Sequence, residues 1–90
     1  GLSQWEFHQY DDDFFPAIPH GHDQSNHRRK LDPYQGWIYE RQTQVKRVPR
    51  KNIILLWNDE KFREFAYIAL DYYINNYYWL LRCFIRHLSF

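Results

Sequence analysis

The sequence predicts a small α+β domain in which an antiparallel sheet packs against one or two C-terminal helices. Three patterns lead to this prediction. Apolar and polar side chains alternate over residues 5–10, a turn sequence separates two strand-like runs within residues 29–41, and apolar residues recur at helical spacing over residues 62–88. Because a chain of 90 residues has the usual size of one domain, residues 1–90 are predicted to form a single unit.

The first predicted strand covers residues 5–10 and places Trp5 and Phe7 on one face, with polar side chains on the other. An aspartate triplet at residues 11–13 ends this alternation. Residues 14–19 contain two prolines, which have no N–H group to donate to a neighbouring strand. This segment is therefore predicted to be extended and irregular, at a sheet edge or in a loop.

The clearest local signal is a β-hairpin within residues 29–41. Asp32 followed by Pro33 and closed by Gly36 is the sequence of a type I turn that ends in a left-handed residue. The runs on either side of this turn suit strands. The polar residues 20–27, which precede the hairpin, are predicted to form a loop that begins as a short strand.

A short helix is predicted after residues 42–48, which extend or re-enter the sheet. Pro49 suits the first position of a helix, because its missing N–H is not needed there. The predicted helix covers residues 50–57, with a strand over residues 53–57 as the alternative. An Asn-Asp-Glu sequence then supplies a capping residue and first-turn acids for a second helix.

The second helix is predicted over about residues 60–87, in one piece or with a break at Asn75 and Asn76. Its polar stripe is narrow, and a small sheet covers only one side of a helix. The region 62–88 is therefore predicted to form a homodimer or to dock a partner protein through exposed aromatic side chains. The alternative is that aromatic residues of the N-terminal segment cover the far side of the helix.

Charge is strongly segregated along the chain, although the formal net charge is only +1. Residues 1–26 contain five acidic residues and no Lys or Arg, whereas residues 27–51 contain eight basic residues and two acidic ones. Two interpretations stay open: the segments neutralise each other in part, or the basic segment meets RNA or DNA. The predicted nucleic-acid contacts are Arg28, Arg29, Tyr34, Arg41, Lys46 and Arg47.

Composition predicts a cytoplasmic protein without membrane contact. The single cysteine, Cys83, cannot form an internal disulfide, and no run of residues approaches the ~18 apolar positions that a membrane span needs. The first residues show no signal-peptide pattern. The chain begins with Gly1 and contains no Met, which predicts a segment of a longer protein or a tag remnant.

Three of the five histidines fall within residues 20–27. On an extended backbone His20 and His22 project to the same side, so both can serve one centre. In a metal site they would ligate Zn²⁺ or another divalent first-row metal, with His27 or Asp13 completing the set. The other acidic residues that could complete it are Asp11, Asp12 and Asp23.

A second interpretation of the same histidines needs no cofactor. His20 and His22 would exchange protons with an RNA phosphodiester, Lys30 would stabilise the charge that develops at phosphorus, and the RNA 2′-hydroxyl would be the nucleophile. A third interpretation is structural: a polar loop whose histidines bond to backbone groups. His8 and His87 are predicted to be ordinary surface or boundary residues.

Residues 19–57 also resemble a family of small bacterial domains of unknown function. The family pattern is a Pro-His-x-His opening, a hairpin closed by Gly, and a helix led by Pro that contains Trp. The residues that carry it here are Pro19, His20, His22, Gly36, Pro49 and Trp57. Such domains often lie beside toxin–antitoxin or mobile-element genes, so the resemblance implies a nucleic-acid or partner-protein role.

The leading functional prediction is a nucleic-acid-directed module, specifically a metal-independent endoribonuclease of the toxin or phage-defence type. It leads because the histidines and the basic residues adjoin each other. The two alternatives are a non-enzymatic interaction domain that docks through the aromatic helix and a metal-binding, hydrolase-like domain that needs a divalent metal. The sequence leaves open whether the protein is an enzyme.

Overall fold

The computed structural model describes residues 3–77, which form a five-stranded antiparallel sheet followed by two helices. Each strand pairs with the next one along the chain, so the sheet is a simple meander. The elements are β1 (Trp5–Phe7), β2 (Gly21–Asp23), β3 (Arg29–Leu31), β4 (Trp37–Glu40), β5 (Thr43–Arg47), α1 (Arg50–Asn58) and α2 (Glu60–Tyr77). The predicted α+β fold is confirmed.

The turn between β3 and β4 forms as its sequence predicts. The Asp32 carboxylate accepts the N–H of Tyr34 at 2.8 Å, and the Asp32 carbonyl accepts the N–H of Gly36 at 2.9 Å. Gly36 has φ 86°, and a Cβ added there would lie 2.9 Å from the carbonyl oxygen of Val48. Only glycine combines that backbone conformation with so close a contact.

The predicted return of residues 42–48 to the sheet is also confirmed, as β5. A two-residue turn connects β4 to β5, and its first residue, Arg41, has a left-handed backbone with φ 57°. All five residues of β5 are exposed. The strand therefore forms an open edge, and the core lies among the other strands.

The core of the sheet is small and rests on Trp5, Leu31 and Ile38, which are buried, and the partly buried Phe7 packs against them. Glycine in β2 suits this packing, because a Cβ on Gly21 would lie 3.2 Å from the Phe7 ring, which is closer than an ordinary carbon–carbon contact. His22 on β2 and His20, which immediately precedes this strand, therefore lie beside a residue that is packed closely against the core.

Both helices attach to the sheet through aromatic side chains. The Phe62 ring meets Phe7 edge-on at 5.1 Å and Trp57 at 4.9 Å, and the Trp57 indole N–H donates to the carbonyl of Pro33 at 2.6 Å. Ile53 of α1 is buried beside Gly36. The predicted helix at residues 50–57 is confirmed.

The long helix continues through Asn75 and Asn76 without the break that was one of the two predicted forms. Their side-chain amides donate to carbonyls four residues earlier, those of Asp71 and Tyr72, each at 2.8 Å. Because the asparagine side chains bond to carbonyls of the same helix, they do not draw the backbone into a non-helical turn. The remainder of the predicted helix, residues 78–87, lies outside the described residues.

The N-terminal segment covers one side of α2, as the alternative to an exposed aromatic face predicts. Tyr10 meets Tyr72 edge-on at 5.0 Å, and Phe14 meets Tyr73 and Tyr77 at 4.6 Å. The helices still expose other large apolar residues. These are Ile54, Leu55, Tyr67, Ile68, Leu70 and Ile74. Association through the region 62–88 stays a prediction that sedimentation at micromolar concentration would test.

Within residues 3–77, neither helix combines the length and the apolar character that crossing a membrane requires.

Candidate functional site

Five ionisable side chains converge where β2 begins and where the segment after β1 crosses it. We call His8, Asp11, Asp13, His20 and His22 the histidine–aspartate cluster. The aromatic anchors of residues 10–15 on α2 and on β4 bring the two aspartates back over the sheet. The extended backbone around Gly21 then presents both of its neighbouring imidazoles to them, with ring centroids 4.7 Å apart.

One carboxylate oxygen lies at the centre of the cluster. Oδ2 of Asp11 is 2.7 Å from Nε2 of His22, 3.4 Å from Nε2 of His20 and 3.9 Å from Nδ1 of His8. Partial burial disfavours the charged carboxylate. The hydrogen bonds from His22 and from the backbone N–H of Asp13 outweigh that effect, so the pKa of Asp11 lies below its usual value. The centre is therefore anionic at neutral pH.

His20 is held in one tautomer by its backbone contact. Its Nδ1 lies 2.8 Å from the carbonyl oxygen of Ala17, and since a carbonyl only accepts, Nδ1 carries the hydrogen. The side chain is 1% exposed, and this burial lowers the pKa of His20, so the neutral ring is favoured. Its Nε2 then presents a lone pair.

That lone pair has no hydrogen-bond partner, and it faces negative charge. Nε2 of His20 is buried and unpaired, 3.4 Å from Oδ2 of Asp11 and 3.7 Å from Oδ2 of Asp13. A buried acceptor opposite two carboxylates is unfavourable unless a cation or a proton lies between them. A histidine that donates one ring N–H to a carbonyl and points the other nitrogen at carboxylates has the usual orientation of a metal ligand.

The exposed rim of the cluster is formed by His8 and His22. Their rings stack at 4.7 Å with an interplanar angle of 19°. One ligand atom each of His8, Asp11 and His22 lies within 4.8 Å of the other two. Ligand atoms bound to one tetrahedral zinc ion are about 3.3–3.6 Å apart, so small side-chain movements bring this set to metal-binding distances.

Lys30 lies on β3 beside His22, and its ammonium forms an ion pair with Asp13. Burial opposes ionisation of Asp13, but the contact with Lys30 prevails and lowers the pKa of this carboxyl. The ammonium also lies 5.9 Å from the centre of the Phe15 ring. The predicted catalytic lysine is therefore next to the cluster, with Asp13 between it and His20.

Three residues that the sequence offered as further metal ligands lie away from this centre. His27 is exposed in the turn between β2 and β3. Asp12 accepts hydrogen bonds from the hydroxyls of Tyr72 and Tyr77 on α2. Asp23 is buried and accepts the N–H and hydroxyl of Ser25, so it organises its own turn.

Several predicted nucleic-acid contacts are engaged within the protein. Arg29 lies 3.5 Å from Glu40 in an ion pair, and Arg47 stacks over Trp37 at 4.9 Å while donating to a carbonyl. The hydroxyl of Tyr34 bonds to the carbonyl of Ile18. Lys46 is exposed on β5, and the remaining two, Arg28 and Arg41, are exposed at the turns that flank β3 and β4.

His8 belongs to the cluster, although its sequence context did not predict this. It was predicted to be an ordinary surface residue, yet its ring stacks on His22. The available signal was the alternation of β1, which puts Glu6 and His8 on one face. Only the pairing of β1 with β2, with Glu6 opposite His22, brings that face to the histidine pair.

Comparison with protein-family models, with curated proteins and with solved structures found no match to this chain. The resemblance to small bacterial domains with a Pro-His-x-His opening therefore stays a prediction.

Proposed function

We propose that the histidine–aspartate cluster binds a divalent first-row metal ion and that the domain is a metal-dependent hydrolase of phosphodiesters. The observation that carries this proposal is the meeting of three imidazole nitrogens within 3.9 Å of one carboxylate oxygen of Asp11. Imidazole and carboxylate together are the donors that Zn²⁺ and its first-row neighbours prefer.

Asp11 and His22 supply two of the protein ligands in this proposal, and either the rim residue His8 or the buried His20 supplies the third. His8, whose side chain is 49% exposed, lies at the rim, where a water or a substrate oxygen would also bind. Three protein ligands with one open position are typical of catalytic rather than structural zinc sites. A metal ion held by these residues would act as a Lewis acid and would lower the pKa of a water at the open position to about 7.

The proposed reaction is hydrolysis. The oxygen of water would form a bond to phosphorus, the bond from phosphorus to one sugar oxygen would break, and that sugar oxygen would take up a proton from solvent as it leaves. Lys30 lies at the edge of the cluster, where its ammonium reduces the negative charge carried by the phosphoryl oxygens.

Burial of His20 supports a metal-dependent mechanism over the metal-independent endoribonuclease. A general acid or base must reach the proton that it transfers, either directly or through one water. The His20 side chain is 1% exposed, and its N–H donates to the carbonyl of Ala17. His20 therefore cannot exchange a proton with a substrate. A metal ligand needs no contact with the substrate.

A metal-independent endoribonuclease stays a second candidate because of one contact. Nε2 of His22 lies 2.7 Å from Asp11, and a carboxylate that orients a partly exposed imidazole is typical of a general base. In that mechanism His22 alone would take the proton of the RNA 2′-hydroxyl. Insensitivity of RNA cleavage to chelators would favour this candidate.

Metal binding is tested by titrating the chelator-treated full chain with Zn²⁺ and Mn²⁺ in a calorimeter and by elemental analysis of the purified protein. One ion per chain is expected. His22→Ala is expected to weaken binding by more than the roughly 10- to 100-fold that outer-sphere changes cost. His27→Ala is the matched control, because it removes a nearby imidazole that lies outside the cluster.

His20 requires a more conservative substitution because it is buried. His20→Asn keeps an N–H that can reach the Ala17 carbonyl and removes the metal-binding nitrogen, so the fold should persist, as circular dichroism would show. If the wild-type chain binds neither metal and melts at the same temperature with and without chelator, the proposal is wrong.

A further inference from the structure

A basic groove lies immediately beside the histidine–aspartate cluster, between the turn after β2 and the turn between β4 and β5. It encloses about 330 Å³ and is lined by the cations Arg28, Lys30 and Arg41 and by the ring of Phe15. Asp13 is the only acidic residue among those that line it in the described chain. The groove therefore concentrates positive charge next to the proposed metal centre.

Arg28 and Arg41 differ from the other arginines near the sheet. Within residues 3–77 neither forms an ion pair with an acidic side chain, whereas Arg29 pairs with Glu40. The backbone N–H of Arg41 donates to the carbonyl of Arg28 at 2.9 Å, which keeps the two residues side by side. Both arginines line the same groove, so an anion bound in it would be attracted to each of them.

The backbone of Arg41 gives a second reason to connect this residue with a ligand. Its φ of 57° lies in the left-handed region, where glycine or asparagine is preferred at a two-residue hairpin turn. An arginine at this position is unfavourable for the turn itself. Outliers of this kind cluster at binding sites, where the side chain serves another purpose.

Asp13 and Lys30 join the groove to the cluster. The ammonium of Lys30 contacts Asp13, and the same carboxylate oxygen lies 3.7 Å from Nε2 of His20. A chain of phosphates that enters between Arg28 and Arg41 and continues past Lys30 therefore reaches the cluster. A single phosphate ion would contact only some of the three cations Arg28, Lys30 and Arg41.

We propose that the groove binds the sugar–phosphate backbone of single-stranded nucleic acid and leads one phosphodiester to the histidine–aspartate cluster. This proposal names the substrate of the metal-dependent hydrolase and rests on that proposed function. Arg28, Lys30 and Arg41 offer positive charge to the phosphates of such a strand. Phe15, which meets Tyr39 edge-on at 5.0 Å, offers a partly exposed ring against which a base can stack. A duplex would not allow such stacking.

Fluorescence anisotropy of labelled 12-nucleotide oligouridine and oligothymidine, at about 50 mM salt and with chelator present, tests binding apart from metal chemistry. The double variant Arg28→Ala/Arg41→Gly is expected to lose at least roughly tenfold in affinity for either strand. The magnitude of the slope of log affinity against log salt concentration should fall by about 1.4, because each phosphate contact on a single strand contributes about 0.7 and two contacts are lost. The two probes show whether RNA or DNA is preferred.

Lys61→Ala is the matched control, since it removes one exposed positive charge outside the groove. Its affinity should stay within about twofold of the wild type. The groove proposal is overturned if the wild type does not bind either strand, if the double variant binds as well as the wild type, or if Lys61→Ala loses as much as the double variant. A duplex bound more tightly than either single strand also overturns it.

The two proposals fail in different ways. The double variant keeps every cluster residue, so it should still bind one metal ion per chain. Retained strand binding in a wild-type protein that takes up no metal supports the groove and overturns the hydrolase. Normal metal binding without any strand binding overturns the groove alone.

Discussion

Replacement of Gly21 by alanine tests how tightly the strand between the two histidines is held. A Cβ at this position would lie 3.2 Å from both the Phe7 ring and the Cβ of Trp5 and 3.3 Å from the Cβ of Leu31. Ordinary contacts between carbon atoms are about 3.5–4.0 Å long, so β2 must move away from the core by a few tenths of an ångström. Overpacking of this kind costs about 1–3 kcal/mol.

The cost should appear as a lower midpoint of thermal unfolding. For a domain of this size about 1 kcal/mol corresponds to a shift of roughly 4–8 °C, so Gly21→Ala should lower Tm by roughly 5–20 °C in a circular-dichroism melt. The same movement displaces both imidazoles relative to Asp11. Zinc affinity of the folded variant should therefore fall as well, although no ligand is removed.

A second substitution separates the contact from other effects of the alanine. Phe7→Leu shortens the side chain that the new methyl group meets, so Gly21→Ala should cost about 1 kcal/mol less in that background than in the wild type. A Gly21→Ala variant as stable as the wild type would refute the close packing of β2 against the core. Equal costs in the two backgrounds would refute the contact with the Phe7 ring and assign the strain to the Cβ atoms of Trp5 and Leu31.

Three further predictions concern stability. Leu31→Ala should lower the free energy of unfolding by about 2–5 kcal/mol because this residue is 0% exposed. Val45→Ala on the open edge should change the free energy of unfolding by less than about 0.5 kcal/mol. Urea titration measures both changes, and similar costs for the two variants would contradict the assigned core. Arg41→Gly should raise stability by up to about 1 kcal/mol by relieving the left-handed backbone, and a lower Tm would contradict this reason. The N–H of Ser25 holds the pKa of Asp23 below 3.8, so this carboxylate contributes stability that is present above pH 3.8 and is lost as the pH falls through its folded pKa. The gap in stability between wild type and Asp23→Asn should therefore narrow from pH 6 to pH 2.5, and a constant gap would contradict the assignment.

Local chemistry explains why most elements of the fold could be predicted. The turn at Asp32 and Gly36 depends on contacts within five residues, and α1 begins where Pro49 favours a helix start. The apolar spacing of α2 likewise depends on neighbours one turn away. The continuity of α2 through Asn75 was harder to predict, because it depends on the rotamer of the Asn75 side chain. In the structure this side-chain amide donates to the carbonyl of Asp71 in the same helix.

The histidine pair is the part of the site that the sequence by itself determined, because two residues separated by one always share a face of an extended strand. The tertiary structure decided the rest. The segment after β1 folds back when Phe14 meets α2, and this return selects Asp11 and Asp13 over Asp12 and Asp23 as the carboxylates at the centre. The tertiary structure also determines which cations remain without an acidic partner. The pairing of β3 with β4 brings Arg29 to Glu40, whereas Arg28 lies beside the groove. Side chains far apart in the chain meet only through strand pairing and aromatic packing, and no periodicity within one segment records those contacts.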